Sequence, residues 1–434
     1  MSDGMKNFLS SWLILLACFN FVKCFPSGDA KSVIDDVTST DGNSNGHDFV
    51  EKVRSYGYIA EKHFVESDGY NLTLHRISGN VGYIPAPGKK VVYIQHGLFM
   101  SSVNFVMRGP DRDLAFILSD AGYDVWLGNA RGNTNSRSHK TLKPDDAQFW
   151  DFSYHEIALG DVKTFIDYTL NVTNKNKLTY VGYSSGSTEG FALLSTRPEY
   201  NKKINLLVDI APIVFWKHNR GALINAVSTA IGFAENINYY FGWIPQEIFS
   251  QFGIFPDLGK KVCESQNGLM EQLCGVFLQS LSPEENISLL NKTMLALYLE
   301  AWPAGASART LFHFGQNMRT GEFRAYDYGS DENLRKYGSY RPPKYPLENV
   351  TAPVAIYYGE TDIYSVIEDI DDLKRSLPNV VESKRVENFS HFLWSDDIKQ
   401  KLFDPIVKLI SNYTSNSRRI SLSCLTSLNE SRSC

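Results

Sequence analysis

The 434-residue chain is poor in cysteine and carries no excess of positive charge. None of its six cysteines lies in a C-x-x-C pair, and no H-E-x-x-H motif is present, so a zinc site is not predicted. The glycine-containing segment 128–132 lacks the Lys-Ser/Thr of a phosphate loop. With 43 Lys and Arg against 48 Asp and Glu, the net charge of -5 offers no basic face for nucleic acid. We therefore expect no metal, no cofactor and no nucleic-acid partner.

Long apolar runs are also scarce. Residues 8–22 form one, but it is too short to span a bilayer comfortably, and a positive Lys6 precedes it. We interpret residues 1–24 as a secretory signal peptide, with a signal anchor as the alternative. No later run is long enough to cross a membrane, so we expect no transmembrane segment in the mature chain. Residues 25–47 are rich in Ser, Asp, Gly and Asn and predict a flexible leader.

Cysteines and glycosylation sequons both favour an oxidising compartment. Cys263 and Cys274 are close enough in sequence to close a small loop. Cys424 and Cys434 lie in a polar tail, where they either pair with each other or stay free. Together with a signal peptide, the sequons predict a glycoprotein that is secreted or delivered to the lysosomal lumen. The N-x-[ST] sequons begin at Asn71, Asn171, Asn286, Asn291, Asn349, Asn388, Asn412 and Asn429.

Short apolar runs alternate with helix-length segments along much of the chain. This alternation predicts an α/β fold, in which a mostly parallel sheet is covered on both faces by helices. Residues 60–65 and 70–77 predict two strands joined by a hairpin signal at residues 67–69. Further strands are predicted at residues 91–94, 123–127, 178–181, 206–210 and 354–358.

The alternation is interrupted between Ile210 and Val354, an interval too long for one crossover connection. Because the sheet pattern resumes afterwards, we interpret residues 215–345 as a cap inserted over the C-terminal edge of the sheet. The alternative is an independent second domain. Helical-looking pieces inside this interval cover residues 222–233, 270–281 and 289–301. The predicted division is a signal peptide (1–24), a leader (25–47), an α/β core (48–214 and 346–410), the cap (215–345) and a disordered Ser-rich tail (411–434).

The most informative motif is the pentapeptide G-x-S-x-G at residues 182–186. It follows the predicted strand 178–181 and precedes a segment of helix-compatible residues, 187–194. A strand, this motif and a helix in this order form a nucleophile elbow, whose strained turn lifts the serine oxygen clear of the sheet. Glycine is needed on both sides because a Cβ would prevent the close approach of strand and helix. We therefore predict Ser184 as a nucleophile; the alternative is a serine in an ordinary strand-to-helix turn.

A serine nucleophile needs a base and a group that orients the base. On this type of sheet the chain order is serine, acid, histidine. Asp362 lies just past the predicted strand 354–358, where the acid is expected, and His391 is the only histidine that follows it. We therefore predict Asp362 as the orienting acid and His391 as the base. The rival acids are Glu360, Asp369 and Asp371.

Two backbone N–H groups are needed to bind the oxyanion of an acyl-transfer intermediate. One should come from Ser185, the residue after the nucleophile. The other should come from a loop after an earlier strand, and residues 95–98 follow the strand 91–94. Gly97 allows the turn that would aim the N–H of Leu98 inward. His96 precedes the serine in the chain, so we expect it to have a structural role rather than to act as the base.

Six further motifs are distributed over most of the chain. They are Asp68-Gly69-Tyr70 with Leu72-Thr73-Leu74-His75-Arg76-Ile77, Gln95-His96-Gly97-Leu98, Gly122-Tyr123-Asp124-Val125-Trp126-Leu127-Gly128-Asn129-x-Arg131-Gly132-Asn133, Phe149-Trp150-Asp151-Phe152-Ser153, Tyr326-Asp327-Tyr328-Gly329 and Pro342-Pro343-x-Tyr345. With these motifs the chain resembles the acid lipase family, the gastric and lysosomal lipases and their insect relatives, from about residue 57 to 409. The resemblance implies an α/β-hydrolase core with a cap and hydrolysis of neutral lipid esters. It also implies Ser184, Asp362 and His391 as a triad, Leu98 and Ser185 as the oxyanion pair, and a cap disulfide between Cys263 and Cys274.

The chain departs from the family pattern at the elbow and near the base. The family elbow usually reads Gly-His-Ser-Gln-Gly-Thr-Thr, whereas this chain has Tyr183 and Ser185 on either side of the serine and Ser187 after Gly186. The family base usually lies in His-x-Asp-Phe-x-Trp, whereas here His391 directly precedes Phe392. A triad therefore requires that the shorter loop still bring His391 within reach of the serine.

Two functions follow as hypotheses. The first is a hydrolase that acts on neutral lipid esters, triacylglycerol or cholesteryl ester, at a lipid–water interface. The alternative is a lipase-fold protein that binds or carries lipid without turnover. Peptidase and epoxide hydrolase activity are disfavoured, the latter because it needs an aspartate in place of Ser184. Aromatic and apolar residues of the cap can form an acyl pocket or simply its core; they are Phe215, Trp216, Tyr239, Tyr240, Phe241, Trp243 and Ile244.

Overall fold

A nine-stranded sheet organises the computed structural model, which describes residues 48–80, 88–218, 222–241, 246–248, 301–393 and 397–413. The strand order is β1-β2-β4-β3-β6-β7-β10-β11, with β5 paired to β2. Neighbours from β4 to β11 run parallel, whereas β1, β2 and β4 pair antiparallel with one another in that order. The strands are β1 (Tyr58–Ser67), β2 (Tyr70–Asn80), β3 (Val91–Gln95), β4 (Asp124–Gly128), β5 (Ser138–His139), β6 (Leu178–Tyr183), β7 (Ile204–Ile210), β10 (Val354–Gly359) and β11 (Val380–Val386).

Helices cover both faces of this sheet, so the predicted α/β class is confirmed. Phe165 and Phe191 pack from two helices into the hydrophobic core on one face. Phe49 and Phe116 pack from two others into the core on the opposite face. The α-helices are α1 (Phe49–Ser55), α2 (Leu114–Asp120), α3 (Tyr154–Glu156), α4 (Lys163–Thr173), α5 (Ser185–Thr196), α6 (Ala222–Phe241), α7 (Ala308–Thr320), α8 (Ser330–Tyr337) and α9 (Ile367–Ser376). Short 3-10 segments are Ser102–Phe105, Ala147–Trp150, Pro198–Lys203 and Leu347–Asn349, and π-helical turns are Ile157–Val162 and Lys399–Phe403.

The burial of the strands explains why some of them could be predicted from apolar runs in the sequence and one could not. All residues of β3, β4, β6 and β10 are buried, as parallel strands between two helical layers must be. The predicted hairpin between β1 and β2 is confirmed: Asp68 and Gly69 have φ angles of 51° and 85°, which suit a tight two-residue turn. β11 was not predicted, because it lies at the sheet edge and alternates half-buried with exposed residues.

The described part of the interval predicted as a cap contains α6, a two-stranded ribbon, α7 and α8. β8 (Glu247–Ile248) pairs with β9 (Ala306–Ser307), and α6 packs on α7, where Glu235 binds Arg319. The helix predicted at residues 222–233 is present and continues to Phe241. Residues 270–281, nearly all of 289–301, the signal peptide, the leader and all six cysteines lie outside the described residues. The division into core and cap stays a prediction.

Two further expectations can be compared with the described residues. Helical residues 404–413 extend three residues into the segment predicted as a tail, because Ile410 is buried and Tyr413 packs against the core. Among the described residues, no helix combines the length and the apolar character needed to cross a bilayer.

Candidate active site

Four segments that carry the predicted site residues meet at one edge of the sheet. They follow β3, β6, β10 and β11, whose parallel pairing places their C-terminal ends at the same edge. Ligand and catalytic groups of open α/β sheets collect at this edge. The order of strands in the sheet, rather than distance along the chain, therefore brings residues 96–98, 184–186, 362 and 391 together.

Ser184 occupies the sharp turn between β6 and α5. Its φ of 55° and ψ of -117° are strained for a residue with a Cβ. The Ser184 N–H donates to the carbonyl oxygen of Ile210 on the neighbouring strand at 2.9 Å. A Cβ at Gly182 would lie 2.7 Å from the backbone nitrogen of Ser187, so glycine is required for strand and helix to approach. These features are those of a nucleophile elbow.

His391 and Asp362 continue from the serine as a hydrogen-bonded series. Ser184 Oγ lies 2.8 Å from His391 Nε2, and His391 Nδ1 lies 2.9 Å from Asp362 Oδ2. All three residues are buried, with exposed fractions of 6%, 6% and 5% for Ser184, His391 and Asp362. The other carboxylate oxygen, Oδ1, accepts the N–H groups of Tyr364 and Ser365 at 2.8 and 3.0 Å, which fixes the orientation of the carboxylate. The shorter loop thus still leaves the His391 imidazole within hydrogen-bond distance of Ser184.

The rival acids are engaged elsewhere. Glu360 pairs with Arg385 at 3.1 Å, and Asp371 pairs with Lys374 at 3.0 Å. Asp369 Oδ1 accepts the backbone N–H groups of residues 217 and 218. Among the four acids considered, Asp362 is therefore the one whose carboxylate is hydrogen-bonded to His391.

His96 has the surroundings of a structural histidine. Its Nε2 accepts hydrogen bonds from the Ala130 N–H and the Asn133 side-chain amide, both at 3.1 Å, so the proton resides on Nδ1. That proton points to the carbonyl oxygen of Gly97 at 2.8 Å. Burial lowers the pKa of His96 to about 4, with a smaller opposing effect of the Gly97 carbonyl. The imidazole is therefore a neutral link between the 96–98 loop and the segment after β4.

The two segments that carry the predicted oxyanion donors touch through glycines. A Cβ at Gly186 would meet the carbonyl oxygen of Gln95 and would lie 2.8 Å from that of His96. A Cβ at Gly97 would lie 3.1 Å from the Ser184 Cβ. The loop with Leu98 is thus in direct contact with the elbow, and the N-terminal end of α5, where partial positive charge collects, begins at Ser185.

A buried side-chain series behind the elbow was not found from the sequence. Tyr93 donates its hydroxyl to Gln95 Oε1, and Gln95 Nε2 donates to Glu189 Oε2 at 2.8 Å. Burial raises the pKa of Glu189 well above its ordinary value, and the Gln95 amide opposes this only in part. Because Gln95 precedes the 96–98 loop and Glu189 lies on α5, this hydrogen bond joins the two segments that carry the predicted oxyanion donors. The sequence signal for it is a single charged residue, Glu189, in an otherwise uncharged helix segment, 185–196.

The predicted acyl-pocket residues are only partly described. Trp216 is 2% exposed and Phe215 packs at the rim of the core, so both have the surroundings of core residues. The side chains of residues 239–241, and residues 243 and 244 as a whole, lie outside what the structure describes. The predicted disulfide between Cys263 and Cys274 lies outside it as well.

Comparisons with known proteins agree with this fold. Two protein-family models match: a partial α/β-hydrolase lipase region over residues 49–109 and the α/β-hydrolase fold over residues 90–230. Lipase 1 of Drosophila melanogaster is 36% identical over 364 residues, covering 82% of this chain and 78% of that protein. Gastric triacylglycerol lipase of Homo sapiens is 35% identical over 374 residues, covering 83% and 90%.

A solved structure shows the same fold at low identity. It is a soluble variant of monoglyceride lipase from Saccharomyces cerevisiae in complex with a substrate analog, 14% identical with a TM-score of 0.51 over 81% of this chain and 95% of that chain. The sheet and the family models define this protein as an α/β-hydrolase. Its relatives of 35–36% identity are lipases, so it is a carboxylic ester hydrolase. The chain belongs to the acid lipase family, and it is a lipase.

Proposed function

We propose that this lipase hydrolyses neutral lipid esters, triacylglycerol or cholesteryl ester, through an acyl-enzyme formed on Ser184. The observation that carries the proposal is the series of two hydrogen bonds, 2.8 Å from Ser184 Oγ to His391 Nε2 and 2.9 Å from His391 Nδ1 to Asp362 Oδ2. Nucleophile, base and orienting acid within hydrogen-bond reach are the geometry of serine hydrolysis. The name of the human relative, gastric triacylglycerol lipase, supports the substrate class.

In the first half-reaction Ser184 Oγ attacks the acyl carbonyl carbon while His391 Nε2 takes the hydroxyl proton. The carbonyl oxygen becomes an oxyanion, which accepts the N–H groups of Leu98 and Ser185. Collapse of this intermediate breaks the ester bond, and His391 gives its proton to the leaving alcohol. Asp362 keeps the proton of the imidazole on Nδ1 and stabilises the imidazolium while it exists.

In the second half-reaction water attacks the acyl carbon of the acyl-enzyme and His391 takes the proton of that water. The second oxyanion uses the same two N–H groups. Its collapse releases the fatty acid, and the proton on His391 returns to Ser184 Oγ. The reaction requires neither metal nor cofactor. We place it in the secretory pathway, outside the cell or in the lysosomal lumen, on the strength of the predicted signal peptide and the gastric relatives.

The test is hydrolysis of emulsified trioleoylglycerol, cholesteryl oleate and a short p-nitrophenyl ester between pH 4 and 8. We expect Ser184→Ala and His391→Ala to lose activity by a factor on the order of 10⁴ or more, because the members of a triad act as a unit. Ser195→Ala is the matched control, since Ser195 is a buried serine farther along the same helix. Loss in Ser184→Ala but not in His391→Ala would mean that another group is the base.

Labelling with a fluorophosphonate separates this function from lipid carriage. An activated Ser184 reacts with the probe, whereas a carrier without an activated serine does not. A wild type that neither labels nor hydrolyses any of the three esters would contradict the proposed activity. The ratio of trioleoylglycerol to cholesteryl oleate turnover then assigns the preferred neutral lipid.

A further inference from the structure

The residue before the nucleophile contacts the base directly. Tyr183, at the end of β6, donates its hydroxyl to the backbone carbonyl oxygen of His391 at 2.6 Å. The two rings lie 5.9 Å apart between centroids and are inclined by 30°. Tyr183 is 1% exposed, and Phe105 packs edge-on against its ring, so the hydroxyl is held at this place. A histidine at position 183, as in the family elbow, is a shorter side chain without this hydroxyl.

The loop that carries His391 also differs from the family pattern. His391 directly precedes Phe392, so two residues that usually separate the base from the following Phe are missing. A shorter loop between β11 and the helical residues that follow has less freedom to place its histidine. Yet His391 Nε2 still lies 2.8 Å from Ser184 Oγ. A further contact is therefore expected to fix the position of the His391 main chain relative to Ser184.

On the acid side, hydrogen bonds reach the main chain of the loop before His391. Thr361 N–H donates to the Phe389 carbonyl oxygen at 3.2 Å, and Gly359 has no Cβ to collide with the same carbonyl group. The Tyr364 ring packs edge-on against the imidazole, 4.9 Å between centroids. The Tyr183 hydroxyl is the group from the elbow strand that reaches the main chain of His391 itself. It therefore ties the base to the same strand that carries the nucleophile.

We propose that Tyr183 is a positioning residue: its hydroxyl, by binding the His391 carbonyl, aligns the imidazole with Ser184 in place of the missing loop residues. The proposal rests on the triad function proposed above. It explains the two departures from the family pattern, one at position 183 and one after position 391, as a single arrangement. The Tyr183 hydroxyl binds the backbone carbonyl oxygen of His391 rather than a ring nitrogen, so we expect its effect on the alignment of the imidazole and not on substrate binding.

The test compares Tyr183→Phe with Tyr357→Phe in the full-length protein. Each variant removes one hydroxyl from a tyrosine of a sheet strand, and the Tyr357 hydroxyl binds Glu382 away from His391. We expect Tyr183→Phe to lower kcat on the p-nitrophenyl ester by about tenfold to a hundredfold with KM changed less than about twofold, as for a misaligned base. We expect the acid limb of its kcat/KM profile to move, because that limb reports the base in the free enzyme. Tyr357→Phe should stay within about twofold of wild type in both quantities.

A second readout does not need turnover. The Nδ1 proton of His391, assigned by its loss in His391→Gln, should shift or broaden in one-dimensional proton NMR of Tyr183→Phe and remain in Tyr357→Phe. If wild type proves inert toward esters, the proposed function fails while this signal still decides the role of Tyr183. Kinetics, pH profile and Nδ1 signal of Tyr183→Phe all equal to those of Tyr357→Phe would overturn the proposal.

Discussion

The elbow and the histidine loop place their reactive groups by different means. Ser184 is positioned by its own main chain: a φ of 55°, a hydrogen bond to the adjacent strand and glycines on either side. His391 is positioned by contacts from distant segments, through Asp362, Tyr183 and the carbonyl group of Phe389. The proposed nucleophile is thus placed mainly by its own strand-turn-helix segment, whereas the proposed base is placed by contacts from elsewhere in the chain. Substitutions at the two places should therefore fail in different ways.

The largest effect should come from removing the charge that orients the base. Asp362→Asn keeps an oxygen for the two N–H groups of the loop but puts an amide where the His391 Nδ1 proton is bound. The imidazole then favours the wrong tautomer, and we expect kcat to fall by a factor on the order of 10⁴ with little change in thermal stability. The measurement is p-nitrophenyl ester hydrolysis alongside a thermal melt.

Asp371→Asn is the control for that variant, since it changes a rival acid whose partner is Lys374 on the same helix. It should stay within about twofold of wild type, because exposed pairs of this kind contribute little. Equal losses in the two variants would show that the acid has been misassigned.

A pair of glycine substitutions tests the two means of positioning directly. A Cβ at Gly186 would meet the carbonyl groups of Gln95 and His96, inside the packed sheet edge. We expect Gly186→Ala to lower the free energy of unfolding by about 1–3 kcal/mol and kcat by about 10²–10³-fold, because both oxyanion donors are displaced. A Cβ at Gly359 would meet the carbonyl groups of Phe389 and Ser390.

We expect the histidine loop, which is held by contacts from distant segments, to yield to this clash more easily than the elbow does, so Gly359→Ala should cost about 10²-fold in kcat with the smaller loss of stability. Urea denaturation and ester hydrolysis of both variants give the two ratios. If Gly359→Ala proves the more destabilising variant, the histidine loop is at least as rigid as the elbow, and the two segments do not differ as we infer.

The last prediction concerns the pH dependence of the free energy of unfolding rather than kcat. Burial raises the pKa of Glu189 well above its ordinary value of 4.5, so the folded protein keeps this proton while the unfolded chain loses it above about pH 4.5. The folded state then binds more protons, and its stability falls as pH rises, by about 1.4 kcal/mol per pH unit from this group. Burial also raises the pKa of Asp209, which adds a slope of the same sign.

Glu189→Gln should remove its share of this slope between pH 5 and 7 while keeping an acceptor for the Gln95 amide. Urea denaturation at several pH values measures the slopes of wild type and variant. Glu66→Gln is the control, because Glu66 is an exposed residue paired with Lys140. Identical slopes for Glu189→Gln and wild type would show that Glu189 is ionised in the folded protein.

The contrast between a serine placed by its own segment and a histidine placed by distant contacts also explains which site residues the sequence predicts. Ser184 could be predicted because its strand, turn and helix are consecutive and each has a local signal. Asp362 and His391 could be predicted from chain order, and the structure brings them together with Ser184. β11 escaped prediction because its exposed face and its charges leave no apolar run.

The hydrogen-bonded side chains of Tyr93, Gln95 and Glu189 could not be predicted from the sequence for another reason. Glu189 and Gln95 are 94 positions apart, and an acidic residue on a helix is usually exposed, so nothing local indicates a buried partner. The hydrogen bond from Tyr183 joins residues 208 positions apart. Such pairs depend on the strand order of the sheet, which periodicity alone does not provide.

The bond between Tyr183 and the His391 carbonyl has an evolutionary consequence. Under our proposal, the amino acid before the nucleophile and the length of a loop two hundred residues later depend on each other, which is epistasis with a physical basis. A histidine at position 183 alone would leave the short loop without this hydrogen bond, and a longer loop alone would move the carbonyl group away from the hydroxyl. We expect each single change to lower activity, so the two features should vary together among relatives.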